Sequence, residues 1–184
     1  MWNLPYDVEI DGIKYVIRNK CDYRMVLDVI NALNDEELEM EHRIECAITI
    51  FYEDLSTCED IKTAVEEMYR IINNGEVEKQ SNNKPPLMNW NHDFKQIAPA
   101  VSKVLGYEVR EPDRYVHWWT FIGGFMEIQD STYLTVTSIR SKKQKGKKLD
   151  KWEEEFYREH KAMVDLPLST KLNAEERELL DADW

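Results

Sequence analysis

Apolar residues recur along this chain with two periods, and the switch between them predicts the elements. Over residues 6–17 the period is two: Val8 and Ile10 alternate with charged residues, Asp11-Gly12 interrupts, and Ile13, Tyr15 and Ile17 alternate again. Alternation on both sides of Asp-Gly predicts a β-hairpin with a two-residue loop. A lone hairpin is marginal in water, so it must pack on the helices C-terminal to it.

From residue 22 the period becomes three to four. Asp22 is placed to cap a helix through about Leu33, with Met25, Val29 and Leu33 in line and Val26 and Ile30 beside them. Asn34 three residues before Glu37 resembles a capping box and predicts a second helix to about Leu55, with Ile44, Ile48, Phe51 and Leu55 on one stripe. Its early face carries Glu37, Glu41 and Glu45, which suits solvent or a basic partner. Thr57 and Asp60 precede a third helix marked by Ile61, Val65, Met68 and Ile72, which Asn74-Gly75 ends. Residues 76–86, EVEKQSNNKPP, read as a linker between two parts, 1–75 and 87–166.

The second part opens with Leu87 and Trp90 and a helix to about Leu105, marked by Phe94, Ile97, Val101 and Val104. Pro99 inside it predicts a kink or two short helices, and Gly106 predicts its stop. Asp113 is placed to cap an aromatic helix, Tyr115 to Ile128, which is apolar nearly all round and therefore buried on most sides. Gly123-Gly124 weakens such a helix, so a close helix–helix approach or a bend is expected there. Residues 131–139, rich in β-branched residues, predict a helix because no hairpin partner is near. The last strong helix begins at Asp150, with Leu149, Trp152, Phe156 and Met163 as its core stripe and Glu154-Arg158 as a supporting pair. Pro167 ends that region, and an acidic tail, 167–184, has a short helix predicted at 174–182. The fold class is mainly α: an N-terminal β-hairpin packed on a helical bundle, followed by a second all-helical part.

Composition narrows the function classes. The 184 residues are 42% hydrophobic and 11% aromatic, enough to bury a core without disulfides. Net charge is −12, of which residues 1–84 carry −10, and such acidity disfavours general nucleic-acid or anionic-membrane binding. No apolar run approaches a transmembrane span. Cys21, Cys46 and Cys58, without a CxxC pair, suit a reducing compartment. None of His42, His92, His117 and His160 stands in a metal-binding spacing, and His117 and His160 read as packing residues. With no Walker A, GxGxxG or GxSxG motif, neither catalytic residues nor a cofactor is expected.

Against this acidic background, residues 140–151 concentrate Arg140, Lys142, Lys143, Lys145, Lys147, Lys148 and Lys151. Phosphates would bind such a cluster, as would an acidic protein surface, including the glutamate-rich second helix of another copy. With Trp118, Trp119 and Trp152 nearby in sequence, these residues form the candidate partner-binding set. An acidic protein ranks above nucleic acid, since nothing else in the chain is basic. A hairpin edge offers a self-association surface through Val8, Ile10, Ile13 and Tyr15, although the reading in which the hairpin simply covers the core ranks above it.

The order HWWTF (117–121), SIR (138–140), KGKKLDKW (145–152) and EFY (155–157) resembles the gene-product-fifteen family of tailed phages and prophages of Gram-positive bacteria. The resemblance runs nearly end to end. Genes of that family typically lie between the tail-tube and tape-measure genes, the usual place of tail assembly chaperones. It therefore implies a non-catalytic chaperone in the bacterial host's cytoplasm, absent from the mature virion, with the tape-measure and tail-tube proteins as partners and with self-association. The alternatives are a nucleic-acid binder using residues 140–151 and a minor structural tail protein.

Overall fold

The computed structural model describes residues 3–75 and 86–167. The linker, 76–86, and the tail, 167–184, therefore lie outside the described residues, apart from residues 86 and 167 themselves. Strands β1 (Asp7–Ile10) and β2 (Ile13–Val16) pair antiparallel, with Ile10 opposite Ile13. Asp11 and Gly12 both take positive φ, 51° and 78°, as the tight hairpin turn requires. Eight helices follow among the described residues: α1 (Tyr23–Leu33), α2 (Met40–Phe51), α3 (Ile61–Ile72), α4 (Trp90–Leu105), α5 (Trp118–Met126), α6 (Thr132–Gln144), α7 (Lys151–Glu159) and α8 (Lys161–Val164). The expected class, a hairpin on a mainly helical body, is the one observed.

The local signals that held are those with a backbone partner to satisfy. Asp22 accepts from the Arg24 amide and Asp60 from the Thr63 amide, each at 3.0 Å. Gly106 closes α4 in the left-handed conformation. Asp150 and Glu153 form a reciprocal capping box at the start of α7.

Other expectations are corrected. Asn34 closes α1 rather than opening α2, which starts only at Met40 and has no side-chain cap. Leu55 accordingly falls beyond α2. Helix α4 continues through Pro99: that face is exposed, so the carbonyl that loses its helical donor can turn to water. Val104 also faces solvent rather than the core. The aromatic helix starts three residues later than expected, because His117, not Asp113, caps it. Trp152 and His160 are exposed, and Arg158 lies 3.9 Å from Glu155 rather than pairing with Glu154.

Two cores result. The larger runs from Val8, Ile10 and Tyr15 of the hairpin through Val26, Phe51 and Met68 to Ile97, Trp118, Phe121 and Tyr133. The hairpin with α1–α3 and the helices α4 and α5 all contribute to it. Tyr23 and Phe121 stack within it, ring centres 4.3 Å apart. The smaller core consists of Val136, Ile139 and Val164, flanked by Leu149, Phe156, Tyr157 and Met163, and it packs α6 against α7 and α8. Close approach of α5 to α4 occurs at Gly124, where a Cβ would sit 3.1 Å from Leu105 Cγ. Gly123 has open space, so the expected close approach uses only the second glycine.

Candidate interaction surface

The HWW block binds its own chain. Trp118 Nε1 donates to the Ile72 carbonyl and Trp119 Nε1 to the Ile71 carbonyl, both at 2.8 Å. Those carbonyls belong to the last turn of α3, where helical donors run out, although Ile71 also accepts from the Asn74 amide at 3.1 Å. The Trp119 ring also covers Gly75, just past that helix. Two adjacent indoles thus fasten the start of α5 to the end of α3. His117 completes the joint: its Nδ1 accepts from the Trp119 amide, so its Nε2 carries the proton and donates to the Pro5 carbonyl at 3.0 Å. Burial holds the His117 pKa below its ordinary value, in keeping with a neutral ring that uses both nitrogens. Trp118 is 2% exposed.

Arg140 is likewise internal. Its guanidinium meets Asp93 through two parallel bonds, Nη1 to Oδ2 at 2.7 Å and Nη2 to Oδ1 at 2.8 Å. Nε donates to the Val164 carbonyl, Nη1 to Leu87 and Nη2 to Met163, so all five N–H groups are used. Asp93 Oδ2 also accepts from the Asn89 amide. One side chain therefore joins α4, α6 and α8. Sequence reasoning missed this pair, although the signal was present. Asp93 shares four-residue spacing with buried Ile97 and Val101, and Arg140 follows buried Tyr133 and Val136 at spacings of seven and four. A charge set into an apolar stripe requires a buried partner.

The basic cluster divides accordingly. Lys142 pairs with buried Glu153, and Lys143 pairs with Asp165 while its Nζ lies 3.7 Å from the Tyr157 ring centre. Lys145, Lys147, Lys148 and Lys151 are exposed and meet no carboxylate among the described residues. Asp150, in their midst, is engaged as the α7 cap. Beside Lys151, Trp152 stands 59% exposed. It borders a groove of about 490 Å³ between α6 and α7, lined by Leu134 and Phe156 together with polar residues that include Thr135, Ser138, Asp130 and Glu153. This groove and the four exposed lysines between 145 and 151 are the candidate surface.

The hairpin divides its residues too. Val8, Ile10 and Tyr15 are buried, while Ile13 and Val16 are outside. The outer edge of β2 is engaged where the Glu53 amide donates to the Val16 carbonyl. The outer edge of β1 presents Asp7 and Glu9, which would face like charges if two copies paired there antiparallel. Of the cysteines, Cys21 is buried and its thiol pKa is pushed up to about 12, chiefly by desolvation, which holds it as the unreactive thiol. Cys46 is exposed. Among the described residues no three His, Cys, Asp or Glu side chains converge as a metal ion would need, and no helix is long and apolar enough to cross a membrane.

The family described as Bacteriophage Gp15 protein matches residues 2–166, about nine-tenths of the chain. The chain belongs to this bacteriophage family. Its match takes in the HWW joint, the Arg140–Asp93 hub and the α6–α7 groove alike, so both cores lie within the family's extent. No curated protein and no solved structure matches the chain.

Proposed function

We propose that this Gp15-family protein is a non-catalytic tail assembly protein, a chaperone that holds the tape-measure protein soluble and recruits tail-tube subunits to it. It works in the host cytoplasm and leaves before the virion matures. Family membership places it in a phage, and the gene position associated with the resemblance supports the tail-assembly role. The structural observation that supports a binding role is the α6–α7 surface. There an exposed indole borders a groove of mixed polarity, and four exposed lysines between 145 and 151 have no carboxylate partner among the described residues. A groove of mixed polarity with an exposed indole at its border suits an amphipathic segment. Tape-measure proteins are long helices with apolar stripes, and an unassembled one needs that stripe covered.

Co-expression tests the reading. With the chaperone present, the tape-measure protein is expected in the soluble fraction; equal solubility with and without it removes the role.

A further inference from the structure

The lysines that the fold leaves over stand close to where the described chain stops. The Lys147 amide donates to the Lys142 carbonyl at 2.9 Å and Gly146 takes a φ of 62°, so the loop after α6 turns back on the last turn of that helix. Exposed Lys145, Lys147 and Lys148 therefore stand at the same helix end as Lys143. Asp165, just past α8, already reaches this end: its Oδ1 meets Lys143 Nζ at 2.6 Å, and Tyr157 donates to its Oδ2 at 2.8 Å. Pro167 follows two residues later. Beyond it, residues 168–184 hold five carboxylates, Glu175, Glu176, Glu178, Asp181 and Asp183, against two cations, Lys171 and Arg177. Glu175 is eight residues past Pro167, a reach of up to about 28 Å. The carboxylates nearest in sequence do not serve the lysines. Asp150 caps α7, Glu153 takes Lys142, Glu155 lies 3.9 Å from Arg158, and Glu154 meets no lysine among the described residues.

We propose that the acidic segment 175–183 covers the lysines at the end of α6 in its own copy, extending the Asp165–Lys143 contact, and that an anionic partner must displace it to reach them. The tether works in its favour. A connection of this length holds the carboxylates at an effective concentration on the order of millimolar, so surface ion pairs that are weak one by one act together. The contact is electrostatic, and salt weakens it. It does not depend on the identity of the client, and the groove beside Trp152 has no part in it.

Carbodiimide coupling of the purified full chain, which joins an ammonium directly to a carboxylate it touches, tests the contact when read by peptide mass spectrometry. At low salt Lys145, Lys147 and Lys148 are expected to couple to Glu175, Glu176 or Glu178, well above Lys95 and Lys103, which are exposed on α4. The coupling is expected to vanish in ~1 M salt, where screening acts within about 3 Å. In the variant Lys147→Glu/Lys148→Glu the remaining Lys145 is expected to couple about tenfold less, because the segment then meets like charges. Both positions are exposed, and unchanged melting curves confirm that folding is intact. Mixing light with isotope-heavy protein is expected to show the coupling within single copies. Displacement is read on immobilised heparin. Glu175→Gln/Glu176→Gln/Glu178→Gln is expected to elute at higher salt than the wild type, and to lose that gain when Lys147→Glu and Lys148→Glu are also present. The proposal is overturned by no coupling, by coupling spread evenly over the exposed lysines, by Lys145 coupling that survives the reversal, or by coupling between copies. A heparin gain that is absent, or equal in both backgrounds, overturns the displacement. Client solubility, measured separately, bears only on the chaperone reading.

Discussion

Trp118-Trp119 and Trp152 stand in opposite surroundings already in the sequence, the pair in an apolar block and Trp152 between Asp150-Lys151 and Glu153-Glu154-Glu155. Their fates are opposite. Trp118 is sunk into the larger core and Trp119 packs half-buried against it, with both indole N–H groups on carbonyls of α3. The other is more than half exposed beside a groove, with the Phe156 ring of α7 centred 5.5 Å from its own. The charged residues divide the same way: Arg140 is saturated inside the protein, while Lys147 and Lys148 stand outside. A large aromatic builds structure where its polar atom finds an orphan backbone group, and is available for contact where it does not.

The comparison breaks most sharply under truncation. Trp118→Ala is expected to cost about 3–5 kcal/mol, through a cavity in the core and the loss of a cap on α3, whereas Trp152→Ala should stay within about 0.5 kcal/mol. Chemical denaturation of the two variants checks both values, and comparable losses would erase the distinction. Arg140→Ala belongs with the first group. It leaves Asp93 buried without its cation, at a cost of about 3–5 kcal/mol, while Lys147→Ala should be near neutral. Arg140→Lys should also destabilise, because an ammonium cannot reproduce the two-pronged contact with Asp93.

A smaller effect separates the two glycines of α5. Gly124→Ala drives a methyl toward Leu105 and Val101 and is expected to lose about 1–2 kcal/mol net, whereas Gly123→Ala meets open space and should gain up to about 1 kcal/mol. Thermal melting of the pair reads the opposite signs.

The smallest effect depends on pH. Burial holds the His117 pKa below 6.5, so the unfolded chain takes up the proton first as pH falls. The joint's contribution is full above about pH 6.5 and declines as pH drops from there toward the lower folded value. His117→Asn keeps an acceptor for the Trp119 amide, so its melting temperature should depend less on pH over that window.

Legibility in the sequence followed the same division. The hairpin, the Asp22, Asp60 and Asp150 caps and the Gly106 stop were readable because each is a local contract between a side chain and its own backbone. The helix over 131–139 was also readable, by elimination of a strand partner. The start of α2 was not, since no side chain caps it. Burial of Arg140 left a trace in its apolar stripe, but the identity of its partner Asp93, 47 residues away, was not readable. Seven neighbouring positive charges looked like one patch, but three of them are engaged by Asp93, Glu153 and Asp165. What tertiary packing leaves over, four lysines and Trp152, is a smaller surface, and only the folded chain could define it.

The central claim is that this remaining surface binds assembly partners while the HWW block only builds the fold. A pull-down from induced cells tests it most directly, using tagged wild-type protein and the variant Trp152→Ala/Lys147→Glu/Lys148→Glu at matched melting temperature. The account predicts that tape-measure and tail-tube proteins accompany the wild type and are lost from the variant. If the variant retains them in full, or the wild type captures neither, the surface has been misassigned.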